Sequence, residues 1–337
     1  MAKRLGKQTI MLESCPSMEG YAAVVSDKEG EGPLGREFDE VGADAYFGEK
    51  TWEKAESRIQ IKALNRALDK AGVPPSAVDV VFAGDLLNQC IGSAYAMRGT
   101  DIPFVGLYGA CSTMAEALAL AAIFVDGGLA GRAAAVTSSH FCSAERQFRF
   151  PLEYGGVRAP TSQWTVTGGG AAIVSAGERG PFIREVCLGR INDLGVRDMN
   201  NMGAAMAPAA ADTIERYLSD TGAAPEDFDM IFTGDLGFVG SEILLELLER
   251  GGVELKKRHM DCGKLIYRRE QKVEAGGSGC GCSASVLCSY IANRLRSGEW
   301  KNVLFAATGA LMSTTSSQQG ESIPGIAHLV RLSAGKD

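Results

Sequence analysis

The sequence predicts an α/β protein in which one layered half is built twice, and two internal matches carry that prediction. "VDVVFAGDLL" (78–87) and "FDMIFTGDLG" (228–237) align without a gap, placing Asp79 on Asp229, Phe82 on Phe232 and Gly84-Asp85-Leu86 on Gly234-Asp235-Leu236. Residues 110–139 then align with 281–310, again without a gap, placing Cys111 on Cys282, Ser112 on Ser283, Gly127 on Gly298 and Thr137 on Thr308. The offsets are 150 and 171, so the second half carries extra chain between its matched pieces, in the stretch 250–277. Two matches in the same order mark a duplication.

The elements of one half follow in order. "IQIKALNRALDKAGVPPSA" (59–77) and "AAADTIERYLSDTGAAPED" (209–227) show helical spacing that stops at a glycine and a proline turn. The matched apolar runs that follow are short buried strands closed by a Gly-Asp turn. After a linker comes a small-residue turn that opens an apolar helix, then a glycine stop and a fully apolar strand. Strands apolar on both faces need helices on both faces. The expected architecture is a duplicated αβαβα layering, with halves at 1–177 and 178–337.

Composition narrows the function. At 45% hydrophobic and 22% charged residues, the chain is that of a soluble globular protein. A net charge of −7 with no basic stripe argues against nucleic acid, and "KKRH" (256–259) reads as a solvated loop or strand end. The longest apolar stretch, "ALALAAIFVDGGLAG" (117–131), is broken by Asp126 and two glycines, too soon to span a bilayer. Nine cysteines, an odd number without regular spacing, read as reduced thiols. "CGC" (280–282) lacks the paired spacing of a structural zinc site, and "TGGG" (167–170) lacks the Lys-Ser/Thr of a phosphate loop, so neither a metal nor a cofactor is called for.

The duplicated half, with Cys111 opening the central helix of its first copy, resembles the thiolase and β-ketoacyl synthase fold. The segments "GACSTMAEAL" (109–118), "TSSHFCSAERQFRFPLEYGG" (137–156), "TVTGGGAAIVS" (165–175), "GGSGCGCSAS" (276–285) and "ATGALMSTTSSQQGESIPGIAHLVRL" (307–332) resemble the stage V sporulation protein AD family of endospore-forming bacteria. That resemblance implies a protein that binds dipicolinic acid, with or without calcium. It also implies a role in moving the ligand into and out of the spore with membrane-embedded channel proteins. The protein itself would be a soluble homodimer held at the spore inner membrane through those partners.

A cysteine at a helix start is a standard way to stabilise a thiolate. A condensing enzyme of this fold also needs a His–His or His–Asn pair from its second half. Here the corresponding loop, "FTGDLGFVG" (232–240), offers Asp235, and the helix start "GSGCGCSAS" (277–285) offers neither asparagine nor histidine. Of three histidines, only His140 follows a strand near the pocket. The expectation is a non-catalytic pocket retained for binding. Cys111, Ser112, Gly281, Cys282 and Ser283 would stand at the two helix starts. His140 and Arg146 would supply positive charge, with Arg149 and Arg158 further off. Asp85 either braces its turn or meets the ligand in protonated form. The competing readings are an acyl-CoA or acyl-carrier-protein condensing enzyme or acyltransferase that uses Cys111, and a structural plug without a ligand.

Overall fold

The computed structural model describes residues 2–148 and 157–336, apart from the side chain of Lys256. The first half contains β1 (Ser17–Val25), α1 (Trp52–Ala71), β2 (Val80–Gly84), β3 (Phe104–Gly106), α2 (Thr113–Asp126), β4 (Arg132–Ser139), α3 (Phe141–Phe148) and β5 (Gly168–Ser175). The second contains β6 (Phe182–Cys187), α4 (Met202–Thr221), β7 (Met230–Thr233), α5 (Gly237–Arg250), β8 (His259–Asp261), α6 (Cys280–Val286), β9 (Asn302–Ala310) and β10 (Gly325–Ser333). Helix α6 runs on through a wide turn, Leu287–Ile291, into Ala292–Ser297.

The strands lie in the order β8-β7-β9-β10-β6-β1-β5-β4-β2-β3 within one 13-stranded sheet that also takes in three short strands. Each half has the same internal order: its first strand, then its fifth, fourth, second and third. The two halves join at a single β1–β6 pair, Ser17 with Phe182. The short strand Thr9–Met11 crosses to pair with β6.

Local signals set the helix ends as the repeat implies. Thr51 accepts from the Lys54 N–H at the start of α1, and Gly72 ends it at φ +73°. Asn201 accepts from the Ala204 N–H at the start of α4, and Gly222 ends it at φ +70°. Each glycine takes the left-handed conformation that a helix end favours, and each is followed by a proline-led turn, Pro75–Ala77 or Pro225–Asp227.

Three apolar cores separate the layers. Ile59, Ala63 and Leu64 of α1 pack on Val24, Val136 and Ile173. In the middle, Met114, Ala115 and Leu118 of α2 share a core with Ala284 and Val286 of α6. On the far side, Ile214 and Tyr217 of α4 and Leu244 of α5 cover Leu304 and Leu329. Helix α2 is buried almost all round, so its sequence shows no polar stripe.

The structure corrects the gap-free match in two places. Val80 of β2 lies opposite Ala133 of β4, and Met230 of β7 lies opposite Val303 of β9, which makes the strand offset 170 rather than 171. A one-residue slip would turn every side chain to the other face. Ala133 and Ala135 share the central core with Val303 and Phe305, and that burial sets the register. At the helix starts the offset is 169. Ala110 at φ +49° precedes Cys111, and Gly279 at φ +101° precedes Cys280. Cys280, not Cys282, therefore takes the place of Cys111 in the second half.

Strand β5 passes under α6 with no room for side chains. A Cβ on Gly170 would fall 2.4 Å from the Ala284 carbonyl oxygen and 2.7 Å from its carbon. Gly170→Ala is therefore expected to destabilise the fold by about 1–3 kcal/mol through overpacking, read as a lower urea midpoint. Ala172→Gly on the same strand serves as the comparison, because it removes volume and leaves the crossing open.

Candidate functional site

The starts of α2 and α6 meet at the centre of the molecule. Cys111 lies in the tight turn Ala110–Ser112 just before α2, and it packs with Leu86, Ala144 and Cys280. The buried Asp235 carboxyl lies beside it and helps to raise its pKa. Asp235 also accepts from the Gly279 N–H at 2.8 Å and the Thr308 hydroxyl at 2.7 Å. The Cys280 thiol donates to the Ser138 carbonyl at 2.9 Å.

Burial governs the protonation of this cluster. It pushes the Cys111 thiol well above its ordinary range, and the neighbouring Asp235 adds to the shift. Burial likewise raises Asp235 to about 7, against the donors that hold its charged form. A second buried carboxyl, Asp261, is raised to about 6; it accepts from the N–H groups of Leu236 and Gly237 at 2.9 Å each. Two carboxyls thus hold the Gly234–Gly237 turn from both sides. The chemistry that results is a neutral thiol beside a buried acid.

No histidine serves Cys111. His140 donates from Nε2 to the Ala45 carbonyl at 2.8 Å and accepts at Nδ1 from the Cys142 N–H at 3.2 Å, so it is neutral and satisfied. Burial lowers its pKa further. The Thr233 hydroxyl gives its proton to Asp261, so His259 donates to that oxygen at 2.9 Å. His328 accepts from the Gly189 N–H at 3.2 Å.

The other predicted residues divide in the same way. Gly281 and Ser283 sit at the junction: the Gly281 N–H donates to the Ser139 hydroxyl at 3.1 Å, and the Ser283 hydroxyl bonds to the Cys111 and Cys280 carbonyls at 3.4 and 3.2 Å. Ser112 donates to the Gly109 carbonyl at 2.7 Å. Cys282 is fully buried, with its sulfur 3.8 Å from the Gly234 carbonyl oxygen. Asp85 accepts from the Leu87 N–H, the Ser93 N–H and the Ser93 hydroxyl, bracing its own turn. Arg146 is exposed and paired with Glu53. Arg158 bonds to Glu145 at 3.2 Å. Arg149 lies outside the described residues.

The space beside Cys111 is a cleft of about 30 Å³, lined by Leu86, Ala144, Glu145, Phe148, Thr165, Met202 and Ser278. Composition did not single out Glu145, which accepts from the Thr165 hydroxyl at 3.2 Å. The available signal was helical spacing: on α3, Ala144 and Phe148 stand four apart on the cleft face, while Arg146 falls on the other.

A duplicated five-strand half closed around a cysteine at a buried helix start defines the thiolase-like fold of the condensing enzymes. Solved structures agree. A 3-oxoacyl-[acyl-carrier-protein] synthase III from Aquifex aeolicus VF5 is 12% identical, with a TM-score of 0.55, covering 97% of this chain and 100% of its own. A single-residue variant of OleA from Xanthomonas campestris is 13% identical, with a TM-score of 0.61, covering 96% and 99%. Within that fold, the chain belongs to the Stage V sporulation protein AD family, whose model matches residues 6–333. It is 45% identical over 326 residues to Stage V sporulation protein AD of Bacillus subtilis (strain 168), covering 97% of this chain and 96% of the other. Among the described residues, no helix is long and apolar enough to cross a membrane.

The raised Asp235 sets a pH dependence. Its folded value of about 7 exceeds the ordinary value of 3.8, so the folded state binds the extra proton between those limits. Its contribution to stability is fully present below about 4 and is lost as pH rises through 7. Compared with Asp235→Asn, the wild type should therefore gain relative stability as pH falls from 8 to 5. Parallel thermal melts at each pH check this; a constant difference between the two proteins would contradict it.

Proposed function

We propose that this sporulation protein is a non-catalytic member of the thiolase-like fold. In this reading it binds dipicolinic acid and takes part in its uptake during sporulation and its release during germination, beside membrane-embedded channel proteins at the spore inner membrane. The observation that carries the non-catalytic part is the setting of Cys111: its thiol is buried, protonated and beside a buried carboxyl, and all three histidines are engaged elsewhere. Condensation needs a thiolate and a positioned base or oxyanion donor, each worth roughly 10²–10⁴-fold in rate. Family membership supports the ligand and the spore setting.

Isothermal titration of dipicolinic acid into the full chain should give a saturable isotherm, with phthalate binding more weakly. A flat isotherm on folded protein would remove the ligand from this reading. Incubation with short acyl-CoAs should leave the intact mass unchanged. An acyl adduct on Cys111 that turns over would favour the condensing-enzyme alternative.

The same reading includes a homodimer, and one edge of the sheet supports it. All three residues of the outermost strand β3 are exposed, Phe104 and Val105 among them, and Ile91, Tyr95 and Tyr108 are exposed as well. An apolar open edge is a template for another strand, and a second copy would cover it with its own β3. Light scattering should then report twice the chain mass, with Val105→Asp shifting it to one chain and leaving the circular dichroism unchanged. A wild type that runs as a single chain would overturn the dimer.

A further inference from the structure

A fully buried carboxyl stands behind the cleft at Cys111. Glu56 of α1 is 0% exposed. Its Oε2 accepts from the Ser143 hydroxyl of α3 at 2.8 Å, and its Oε1 accepts from the Ser138 hydroxyl of β4 at 3.4 Å. One turn further along α1, Gln60 turns its amide nitrogen to the Ser138 and Ser93 hydroxyls at 3.2 and 3.0 Å and to the Gly84 carbonyl at 3.1 Å. Ser93, in the short helix Ile91–Met97, donates its hydroxyl to Asp85 at 2.6 Å, and Asp85 accepts from the Leu87 N–H at 2.8 Å. Every side chain in this series is buried. Its two ends adjoin the lining of the cleft: Ser143 is the chain neighbour of Ala144, and Asp85 that of Leu86.

The network holds two acids and no base. Among the described residues, the partners of Glu56 and Asp85 are hydroxyls and backbone N–H groups. The titratable groups that face Glu56 are Asp85 across the network and the Cys280 thiol at the start of α6, and neither can neutralise an anion. On α3, Arg146 is paired with Glu53 at the surface and Glu145 with Arg158. His140, after β4, is neutral and bonded to the Ala45 carbonyl. An uncompensated acid this deeply buried keeps its proton. Burial, with Asp85 adding to it, accordingly pushes Glu56 well above the ordinary carboxylate range. The count of donors agrees. Gln60 Oε1 is buried and accepts no hydrogen bond among the described residues. Glu56 stands on the same face of α1, and its protonated form alone adds a donor there.

We propose that Glu56 is a positioning residue of the cleft: as a neutral acid it ties α3, β4 and the Asp85 turn into one unit, and so fixes Ala144 and Leu86 where the ligand meets them. The role rests on the reading of the chain as a dipicolinate-binding protein with its ligand at the cleft. Glu56 itself touches no ligand. Its effect passes through Ser143 to one part of the lining and through Ser138, Gln60, Ser93 and Asp85 to another. A neutral acid suits this task, because it adds no further negative charge behind a site for a dianion.

The test has two arms on the full-length chain. In the first, urea unfolding of the wild type and Glu56→Gln is measured from pH 5.5 to 7.5. If Glu56 is neutral when folded and ionised when unfolded, folding takes up one proton across this range. The folding equilibrium constant of the wild type, divided by that of Glu56→Gln, should then fall about tenfold for each pH unit. A flat ratio would overturn the neutral acid, whether or not the ligand binds. In the second arm, dipicolinic acid is titrated into the wild type, Glu56→Gln, Glu56→Ala and Leu68→Val, with circular dichroism confirming the fold of each. Glu56→Ala leaves Ser143 and Ser138 without their partner and should weaken binding about tenfold or more. Glu56→Gln, uncharged and of the same shape, should recover most of it. Leu68→Val trims the core about three turns further along α1 and should stay within about twofold of the wild type. Glu56→Ala that binds like the wild type, or Leu68→Val that loses as much as Glu56→Ala, would overturn the positioning role and leave the ligand reading intact. A wild type that does not bind would remove the ligand reading and the positioning role together.

Discussion

The close approach of backbone to backbone at the middle of the molecule is the constraint on which the rest of the structure depends. A Cβ on Gly281 would fall 2.3 Å from the Gly168 carbonyl oxygen, and one on Gly309 would fall 2.3 Å from that of Gly109. Gly170 and Ala284 make the same demand one turn further along α6. Because these positions carry no side chain, the two central helices can start against each other and against the strands of the opposite half. Cys111, Cys280 and Asp235 are thereby brought into one dry junction. The polar atoms of that junction must find partners inside the protein, and they do: Gly279, Ser138, Ser139 and Thr308 supply them.

That dryness decides the chemistry of Cys111. A helix start favours a thiolate by roughly 0.3–1 kcal/mol in ordinary settings. Complete burial next to a carboxyl acts the other way and can move a pKa by several units. Here the second effect wins, and the residue that opens the helix stays a thiol. An enzyme on this fold would place a donor or a cation at the spot that Asp235 fills. Here Asp235 accepts from the Gly279 N–H and the Thr308 hydroxyl instead. The two halves are tied elsewhere by the same kind of bond. Glu29 of the first half accepts from the Tyr267 hydroxyl of the second and from the Thr167 N–H at 3.1 Å.

Much of this architecture was legible in the sequence. The two Gly-Asp turns, the two glycine-capped helices and the two apolar strands appear in the same order in both halves, and the structure places them in the same order across the sheet. The slips of one and two residues were not legible, because identical residues attract an alignment. Cys111 matches Cys282 by letter, whereas the left-handed residue before each helix matches it to Cys280. At the site, the sequence showed Asp235 in the loop where a condensing enzyme needs histidine, and the structure sets that carboxyl beside Cys111. It could not show that His140 turns to the Ala45 carbonyl or that Arg146 finds Glu53, since both contacts join segments far apart in the chain.

The most direct test of the central claim is the reactivity of Cys111 in the folded protein. Native chain is treated with iodoacetamide at pH 8, and the modified cysteine is located by peptide mass spectrometry, with urea-unfolded protein as the reference. The account predicts that Cys111 stays unmodified while the chain is folded and reacts once it is unfolded. Rapid and selective alkylation of Cys111 in the native protein near neutral pH would contradict it, and would restore the cysteine as a working nucleophile.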